Sequence, residues 1–200
     1  MKNIIIWGVP RSGKSTLAYM IRQEFGHSVI QMDAIKRVYD VLRPEDNIYA
    51  PETTNYDEAR LMANMVTRLI QCMSWGNHRG EFHVYEGVSF NMDIVLPTLQ
   101  NDMFPISLDN FVVICMGYAD ISPEEKVKQV AQYETTRDWT LNENLGSKLE
   151  HFKKYCDESQ FIKRTAERLG LAYFDVSFNR DEVLDGVIEY IRTQDGGSLI

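Results

Sequence analysis

Apolar and polar positions along the chain change their period repeatedly, and these changes predict alternating strands and helices. Short runs rich in β-branched and aromatic residues predict five strands, at residues 4–7, 27–33, 81–87, 110–118 and 171–177. Between these runs, apolar residues recur every three or four positions, as on one face of a helix. Strands that alternate with helices are typical of an α/β fold, here a five-stranded parallel sheet with helices on both faces.

Capping residues indicate where several helices begin and end. Gly26 is placed to end the first helix and Gly170 a later one, because glycine adopts the left-handed backbone that closes many helices. The predicted starts pair a hydrogen-bonding residue with an acid three positions later: Asn55 with Glu58, Ser122 with Glu125, Ser147 with Glu150 and Asn179 with Glu182. The helix at Ser122 is predicted over about 123–136. The helix after Asn55 carries an apolar stripe that we assign to the core: Leu61, Met62, Met65, Val66, Leu69, Ile70 and Met73.

A glycine-rich motif separates the first predicted strand from the first helix. It reads GVPRSGKST and comprises Gly8, Val9, Pro10, Arg11, Ser12, Gly13, Lys14, Ser15 and Thr16. A loop with glycines at both ends can curl its backbone amides around a phosphate group, and the following helix adds the positive end of its dipole. Lys14 can then reach the β- and γ-phosphates of ATP, and the Ser15 hydroxyl can ligate Mg²⁺. The alternative is an ordinary glycine-rich turn, but the position between strand and helix favours a nucleotide site.

Two acidic residues close the second and third predicted strands, at the sheet edge where ligands bind in such folds. Glu86 ends the third strand and is placed to hold the water shell of Mg²⁺; a turn or helix-cap carboxylate is the alternative. Asp33 ends the second strand and is placed to orient an acceptor hydroxyl or to take its proton. Because Asp is also a favoured N-cap, a cap of the next helix is the alternative for Asp33.

Phosphoryl transfer also needs positive charge around the transferring group. The candidate for that role is Arg137, in a charged segment of about residues 119–150 that is typical of a mobile flap over a nucleotide. A surface ion pair is the alternative for Arg137. Arg11 points toward either the nucleotide or the acceptor. Three further arginines lie between the second and third strands, where an acceptor could be held: Arg37, Arg43 and Arg60.

The composition limits the size, the partners and the compartment. Two hundred residues, 44% of them apolar, suit one domain with its own core. A net charge of −8 argues against nucleic acid as a partner. Since no apolar run is long enough for a signal peptide or a membrane span, we expect a cytoplasmic protein with no membrane partner. Cys72, Cys115 and Cys156 show no C-x-x-C spacing and are predicted to be reduced thiols in or near the core.

Several of these features together resemble the P-loop kinases of nucleosides, nucleotides and small metabolites. They are GVPRSGKST, the acid that closes the second strand, the Glu86-Gly87 pair and the late run DVSFNRDEV. The resemblance implies the sheet order 2-3-1-4-5 and a lid after the fourth strand, as in the adenylate-kinase-like and shikimate-kinase-like branches. It also implies that the segment from Ser177 to Arg180, including Asn179, contacts the adenine. The residues after Glu86 lack the Asp-Gly-Phe-Pro-Arg run of adenylate kinases, which favours a hydroxyl as the acceptor.

The function that these features predict is ATP-dependent phosphoryl transfer to a hydroxyl of a small metabolite or nucleoside-like acceptor. The chain lacks the Asp-x-x-Gly and Asn-Lys-x-Asp motifs of GTP switches and the Ser-Gly-Gly signature of transporter ATPases. An ATP-binding regulator with little transfer activity and a polynucleotide 5′-hydroxyl kinase stay as alternatives. We expect residues 1–195 to form one domain, as a monomer or homodimer. Within it we expect an acceptor-side insertion at about 34–80, the lid at about 119–150 and a flexible tail at 196–200.

Overall fold

A sheet of five parallel strands forms the centre of the protein. The structure is a computed structural model and describes residues 1–48, 55–76, 80–101, 105–136 and 138–194. The strands are β1 (Asn3–Gly8), β2 (Ser28–Gln31), β3 (His83–Gly87), β4 (Phe111–Gly117) and β5 (Ala172–Asp175). The described α-helices are α1 (Lys14–Phe25), α2 (Met32–Leu42), α3 (Asn55–Gly76), α4 (Met92–Asn101), α5 (Pro123–Ala131), α6 (Leu145–Leu169) and α7 (Arg180–Gln194). Short 3₁₀-helices lie at Pro44–Asp46, Leu108–Asn110 and Trp139–Asn142.

The first strand occupies the middle of the sheet, in the order β2-β3-β1-β4-β5. Its parallel register places Ile5 beside Tyr85 of β3 and beside Val113 of β4. Residues 4–7 are all buried, as expected of a strand whose sheet is covered by helices on both faces. The predicted α/β fold, with its five-stranded parallel sheet in the order 2-3-1-4-5, is confirmed.

Most of the predicted capping residues and apolar faces are present in the helices of the structure. Gly26 and Gly170 close α1 and α6 with left-handed φ values of 73° and 66°. Ser122 and Glu125 form a complete capping box at the start of α5. The predicted stripe on α3 packs into or against the hydrophobic core from Met62 to Met73, and its first residue, Leu61, is not part of that cluster. These helices therefore take their positions from local capping and from one apolar face each.

Two helix ends differ from the prediction, and local hydrogen bonds explain both. Helix α5 ends at Ala131 instead of near residue 136, because the amides of Gln132 and Tyr133 bond to carbonyls only three residues earlier and tighten into a closing turn. Helix α6 begins at Leu145, before the predicted cap Ser147. The cap is Asn144, whose side chain accepts a hydrogen bond of 2.9 Å from the Ser147 amide.

Asp33 does not end a strand and does not cap a helix, so both placements from the sequence are wrong. Strand β2 pairs with β3 only as far as Gln31, opposite Glu86, and the chain then turns at once into α2. Gln31 occupies the N-cap position, which puts Asp33 in the first helical turn. Asp33 nevertheless stays at the carboxyl edge of the sheet, where the sequence placed it.

The cysteines divide into two groups. Cys115 and Cys156 are buried, whereas Cys72 is exposed on α3, so its predicted core placement is wrong. The reason is the helical period: Cys72 is two residues from buried Ile70, which puts it on the opposite side of the helix.

Among the helices that the structure describes, none is both long and apolar enough to cross a bilayer.

Candidate active site

The loop between β1 and α1 folds back on itself and leads directly into a helix N-terminus. Arg11 and Gly13 have left-handed φ values of 64° and 90°, and the Ser12 amide donates a hydrogen bond of 3.3 Å to the Val9 carbonyl. Gly13 suits this backbone because it has no Cβ to clash. The first amides of α1 have no carbonyl partner inside the helix, so they are available to an anion. This is the geometry that a phosphate-binding loop requires.

The side chain of Lys14 is buried under this loop. Its ammonium group donates a hydrogen bond of 2.8 Å to the Val9 carbonyl, and the residue is 6% exposed. Burial lowers the Lys14 pKa, while the nearby carboxylates of Glu86 and Asp33 oppose that shift. A lysine held between a loop and two acids supplies a fixed positive charge at the sheet edge.

The hydroxyl of Ser15 donates a hydrogen bond of 3.1 Å to Glu86 Oε1, which connects α1 to the end of β3. Glu86 is buried, and burial raises its pKa while Lys14 and the Ser15 hydrogen bond lower it. A hydroxyl and a carboxylate are hard oxygen ligands, which Mg²⁺ prefers. Within the described ranges, no cluster of three or more His, Cys, Asp or Glu side chains could enclose a metal. The pair therefore fits Mg²⁺ that is held mainly by water and phosphate oxygens.

Asp33 lies beside this group and faces the turn after β3. Its Oδ1 atom accepts a hydrogen bond of 3.4 Å from the Val88 amide. The backbone is closely packed here: a Cβ at Gly87 would make a tight contact of 3.2 Å with the Met32 Cβ atom and an ordinary one of 3.4 Å with the same Asp33 oxygen. The structure thus brings Asp33 and Glu86 together around Lys14, although they come from different elements.

A cavity of about 840 Å³ opens beside the loop and contains most of the predicted nucleotide-binding residues. Its lining combines the loop and the start of α1 with α5 and the segment after β5. The residues that define this first cavity are Arg11, Gly13, Lys14, Ser15, Thr16, Lys126, Gln129, Val130, Gln132, Tyr133, Asp138, Val176, Ser177, Phe178, Asn179, Arg180, Asp181 and Glu182. Gly8, Val9, Pro10 and Ser12 do not line it, because they form the supporting side of the loop.

Ser177 and Asn179 both line the first cavity. The Ser177 hydroxyl accepts a hydrogen bond of 3.0 Å from the Asp120 amide, and its carbonyl accepts one of 2.9 Å from the Gln129 side chain. Asn179 adopts a left-handed φ of 50°, which turns the chain into α7. The segment after β5 is therefore fixed next to the loop, and its contact with adenine stays a prediction.

The first cavity also contains the basic residues Arg180, which ends the segment that the resemblance assigned to the adenine, and Lys126, which was not identified from the sequence. Arg180 donates a hydrogen bond of 2.8 Å to the Thr16 hydroxyl. Lys126 is 4% exposed and its ammonium group lies 4.4 Å from the centre of the Tyr118 ring; burial, followed by the charge of Arg180, lowers its pKa to about 8. The signal in the sequence was a lysine directly beside the apolar positions 127 and 130 of a helix, where a side chain is drawn into the interior.

An ion pair joins the predicted lid segment to the loop. The Arg11 guanidinium donates to Asp138 Oδ1, and both side chains are partly buried. The other carboxylate oxygen of Asp138 accepts a hydrogen bond of 2.7 Å from the Thr135 amide. The Thr135 amide, followed by the Arg11 guanidinium, lowers the pKa of this carboxyl group. Arg137, the predicted charge-stabilising residue, lies outside the described residues.

The three candidate arginines between the second and third strands do not line either cavity. Arg37 and Arg60 are exposed on α2 and α3. Arg43 is 54% exposed and pairs with its neighbours Glu45 and Asp46. Their predicted role in holding an acceptor has no support from these positions.

A second cavity, of about 520 Å³, lies on another side of the loop, between α3 and α6. It shares no lining residue with the first cavity, and Pro10 is its contact with the loop. The residues that define the second cavity are Trp7, Pro10, Glu58, Ala59, Val88, Ser89, Asn91, Lys154, Tyr155, Glu158 and Phe161. The electrostatic field of Lys14 reaches Glu158 in this lining, so the positive charge of the loop acts on both cavities.

Comparison with known proteins identifies the fold and leaves the activity open. No protein-family model matches the chain, and no curated protein matches it. Solved structures do match along nearly the full length. One is a chain from Chloroflexus aurantiacus provisionally described as a kinase, with 17% identity, a TM-score of 0.52 and coverage of 96% of this chain and 98% of that one. The chain has the fold of the P-loop kinases.

Two further matches have assigned activities. Shikimate kinase from Acinetobacter baumannii, in complex with shikimate, is 14% identical, with a TM-score of 0.50 over 100% of this chain and 96% of that one. A gluconokinase from Sinorhizobium meliloti is 13% identical, with a TM-score of 0.53 over 96% of this chain and 97% of that one. At these identities the similarity shows a shared fold, and it confirms the fold that the sequence resemblance implied.

Proposed function

We propose that this protein transfers the γ-phosphoryl group of ATP to a hydroxyl group of a small molecule. The observation that carries the proposal is the junction of Lys14, Ser15 and Glu86, where the phosphate-type loop meets the end of β3. A binding loop alone would suit many nucleotide-binding proteins. A hydroxyl and a carboxylate at metal-ligating positions, with a second acid beside them, suit phosphoryl transfer in particular.

Each residue at this junction has a distinct part in the proposed reaction. The loop amides and Lys14 hold the triphosphate, and Ser15 and Glu86 hold Mg²⁺, which supplies charge neutralisation on the phosphates when bound. Asp33 orients the acceptor hydroxyl and takes its proton as the new oxygen–phosphorus bond forms. The bond between the γ-phosphorus and its bridging oxygen breaks, ADP leaves, and the proton passes from Asp33 to water.

The remaining parts of the proposal concern the surroundings of the junction. Ser177 and Asn179 bind the adenine side of the nucleotide in the first cavity. Residues 119–150 close over that cavity as a lid and carry Arg137 to the transferring group. The chain acts as one kinase-like domain, a monomer or homodimer, in the cytoplasm. The solved structures of shikimate kinase and gluconokinase support a small-molecule acceptor by analogy of fold.

The test is ADP release by the wild-type protein and by Lys14→Ala, measured with Mg²⁺ and a panel of hydroxyl compounds. We expect the variant to lose about 10²- to 10³-fold in turnover or more, because it lacks the charge that stabilises the transferring phosphoryl group. Lys153→Ala removes the same group from an exposed position of α6 and is the matched control. Circular dichroism checks that Lys14→Ala stays folded.

Three outcomes would contradict the proposal. Wild-type turnover by Lys14→Ala would show that the loop takes no part in the reaction. Tight ATP binding with no acceptor-stimulated ADP release across the panel would indicate an ATP-binding regulator. Release stimulated only by oligonucleotides with a 5′-hydroxyl would indicate a polynucleotide kinase, which the net charge of −8 argues against.

A further inference from the structure

The second cavity has a lining that is unsuited to an anionic ligand. It contains no arginine, and its charged residues are Glu58, Glu158 and Lys154. Carboxylate and phosphate ligands are commonly held by arginine forks, and buried carboxylates repel them. Lys154, the single basic residue of the lining, is exposed and therefore remains hydrated. An acceptor that carries a carboxylate or a phosphate group would therefore be repelled by two carboxylates with the same negative charge.

The two glutamates of the second cavity differ in their partners. Glu58 accepts hydrogen bonds from the ammonium group of buried Lys36 and from the Ser89 hydroxyl, so its charge is already compensated. Glu158 interacts with the charges of Lys14, Glu58 and Lys154, and no hydrogen bond from the described residues contributes to its titration. Glu158 is therefore the carboxylate of this lining that can take a new ligand.

The walls around Glu158 are aromatic. Phe161 and Tyr155 come from the same helix, α6, and Trp7 comes from the end of β1, with its ring edge-on to Phe161 at a centroid distance of 6.2 Å. Aromatic rings next to a carboxylate form a favourable environment for an organic cation, because the ring faces and the carboxylate both attract positive charge. The same rings also cover the apolar part of such a ligand.

We propose that the second cavity binds the phosphoryl acceptor and that this acceptor carries an ammonium group, which pairs with Glu158. This inference rests on the proposed kinase function. It names the acceptor class: an amine-bearing alcohol or amino sugar, whose hydroxyl group points past Pro10 toward the transferring phosphate.

Charge balance in the ternary complex gives the physical reason. The ammonium group of Lys14 lowers the pKa of Glu158, whereas burial raises it more strongly, to about 7. When a triphosphate binds the loop, Lys14 pairs with phosphate oxygens and compensates Glu158 less. The glutamate then needs a proton or another cation, and an ammonium group on the acceptor supplies that cation. Nucleotide and acceptor should therefore bind with positive cooperativity.

The test uses three ligands with one ring and different charges: benzylammonium, benzyl alcohol and benzoate. Each is titrated by NMR into the protein with a saturating non-hydrolysable ATP analogue and Mg²⁺. We expect benzylammonium to bind most tightly and benzoate most weakly, with shifts at Tyr155 and Phe161. Glu158→Gln should weaken benzylammonium binding by about tenfold or more and leave benzyl alcohol unchanged. The exposed Glu167→Gln on α6 is the matched control.

The pH dependence of ligand affinity gives a second test. It uses the wild-type protein, so it does not depend on whether a variant folds well. In the protein without nucleotide, Glu158 is ionised above its pKa of about 7 and neutral below it, so this titration is run without the ATP analogue. The benzylammonium ligand stays protonated through this range, so its affinity should rise from about pH 6 to about pH 8. The affinity of benzyl alcohol should stay flat. In Glu158→Gln the pH dependence of benzylammonium binding should disappear.

Several results would overturn this inference without touching the kinase proposal. They are wild-type affinity of Glu158→Gln for benzylammonium, benzoate binding as tight as benzylammonium binding, and probe shifts outside the second cavity. Absence of binding by all three ligands, while the ATP analogue binds, has the same consequence. If instead the ATP analogue itself does not bind, or binds equally well to Lys14→Ala, the kinase proposal fails first.

Discussion

The backbone of Gly8 approaches the Met116 carbonyl so closely that a Cβ atom at position 8 would lie 2.4 Å from the carbonyl oxygen. The first glycine of the motif therefore has a packing role, where β1 meets β4, in addition to any role in the loop. We predict that Gly8→Ala destabilises the protein by about 2 kcal/mol or more, because one strand must shift. For a chain of this size that lowers the unfolding midpoint by roughly 5 °C.

The control for this prediction is Gly186→Ala in α7. A Cβ at Gly186 would meet no atom within 4 Å, and the residue has an ordinary helical backbone. Alanine should stabilise the helix there by about 0.5–1 kcal/mol. The unfolding midpoints of both variants, measured by thermal unfolding and compared with that of the wild type, test the two predictions. An unfolding midpoint of Gly8→Ala at or above that of the wild type would contradict the close-contact argument.

The two acids beside Lys14 should have separable roles. Glu86→Gln can keep the hydrogen bond from Ser15 and removes the charge, so we predict a higher Mg²⁺ requirement for turnover. Asp33→Asn can keep the hydrogen bond from the Val88 amide and cannot take a proton. Its turnover should fall by about 10²- to 10⁴-fold, with ATP affinity unchanged.

Turnover against Mg²⁺ concentration and direct ATP-binding titrations distinguish the two variants. Each keeps the shape of its wild-type residue, so the folded structure should survive in both. Equal losses of ATP affinity in Glu86→Gln and Asp33→Asn would show that the acids act together on Lys14. That result would contradict the prediction that they have separate roles.

The predictable part of the fold came from signals that act over a few residues. The run Ile4–Trp7 and the motif after it define a strand, a loop and a helix through β-propensity, glycine and helical periodicity, and all three are present. Ser122 and Glu125 cap α5 as their spacing indicated. One error came where two local signals competed. The spacing of Ser147 and Glu150 predicts a cap at Ser147, whereas Asn144, three residues earlier, caps the helix.

The candidate site shows the limit of such signals. The sequence indicated Lys14, Ser15 and Glu86 because a motif and a strand end mark them. It could not indicate Glu158, which lies in the middle of a long helix among charged neighbours and gains its environment only when α6 packs beside β4. For Lys126 the sequence offers only the neighbouring apolar positions of the helix, and its lowered pKa follows from burial beside Tyr118. These environments arise from long-range packing, which the spacing of apolar residues along the sequence does not reveal.

The contact between Arg11 and Asp138 predicts how the lid closes. Arg11 belongs to the loop, and Asp138 follows α5 inside the proposed lid of residues 119–150. We predict that Asp138→Asn weakens the closed arrangement, because the neutral amide pairs less strongly with the guanidinium group. Asp120→Asn is the matched control: it lies in the same segment, outside the first cavity, and its exposed carboxylate pairs with Lys163 on α6.

Hydrogen exchange and kinetics together test the lid. Amide exchange in residues 119–150 should slow when a non-hydrolysable ATP analogue and Mg²⁺ are added to the wild type, because a closed lid protects its backbone. Asp138→Asn should lose most of this protection, and Asp120→Asn should keep it. Arg137→Ala should lower turnover more than ATP affinity, since its charge is needed mainly when the phosphoryl group transfers. Exchange that does not respond to nucleotide, together with wild-type turnover in Arg137→Ala, would mean that this segment is a fixed part of the structure.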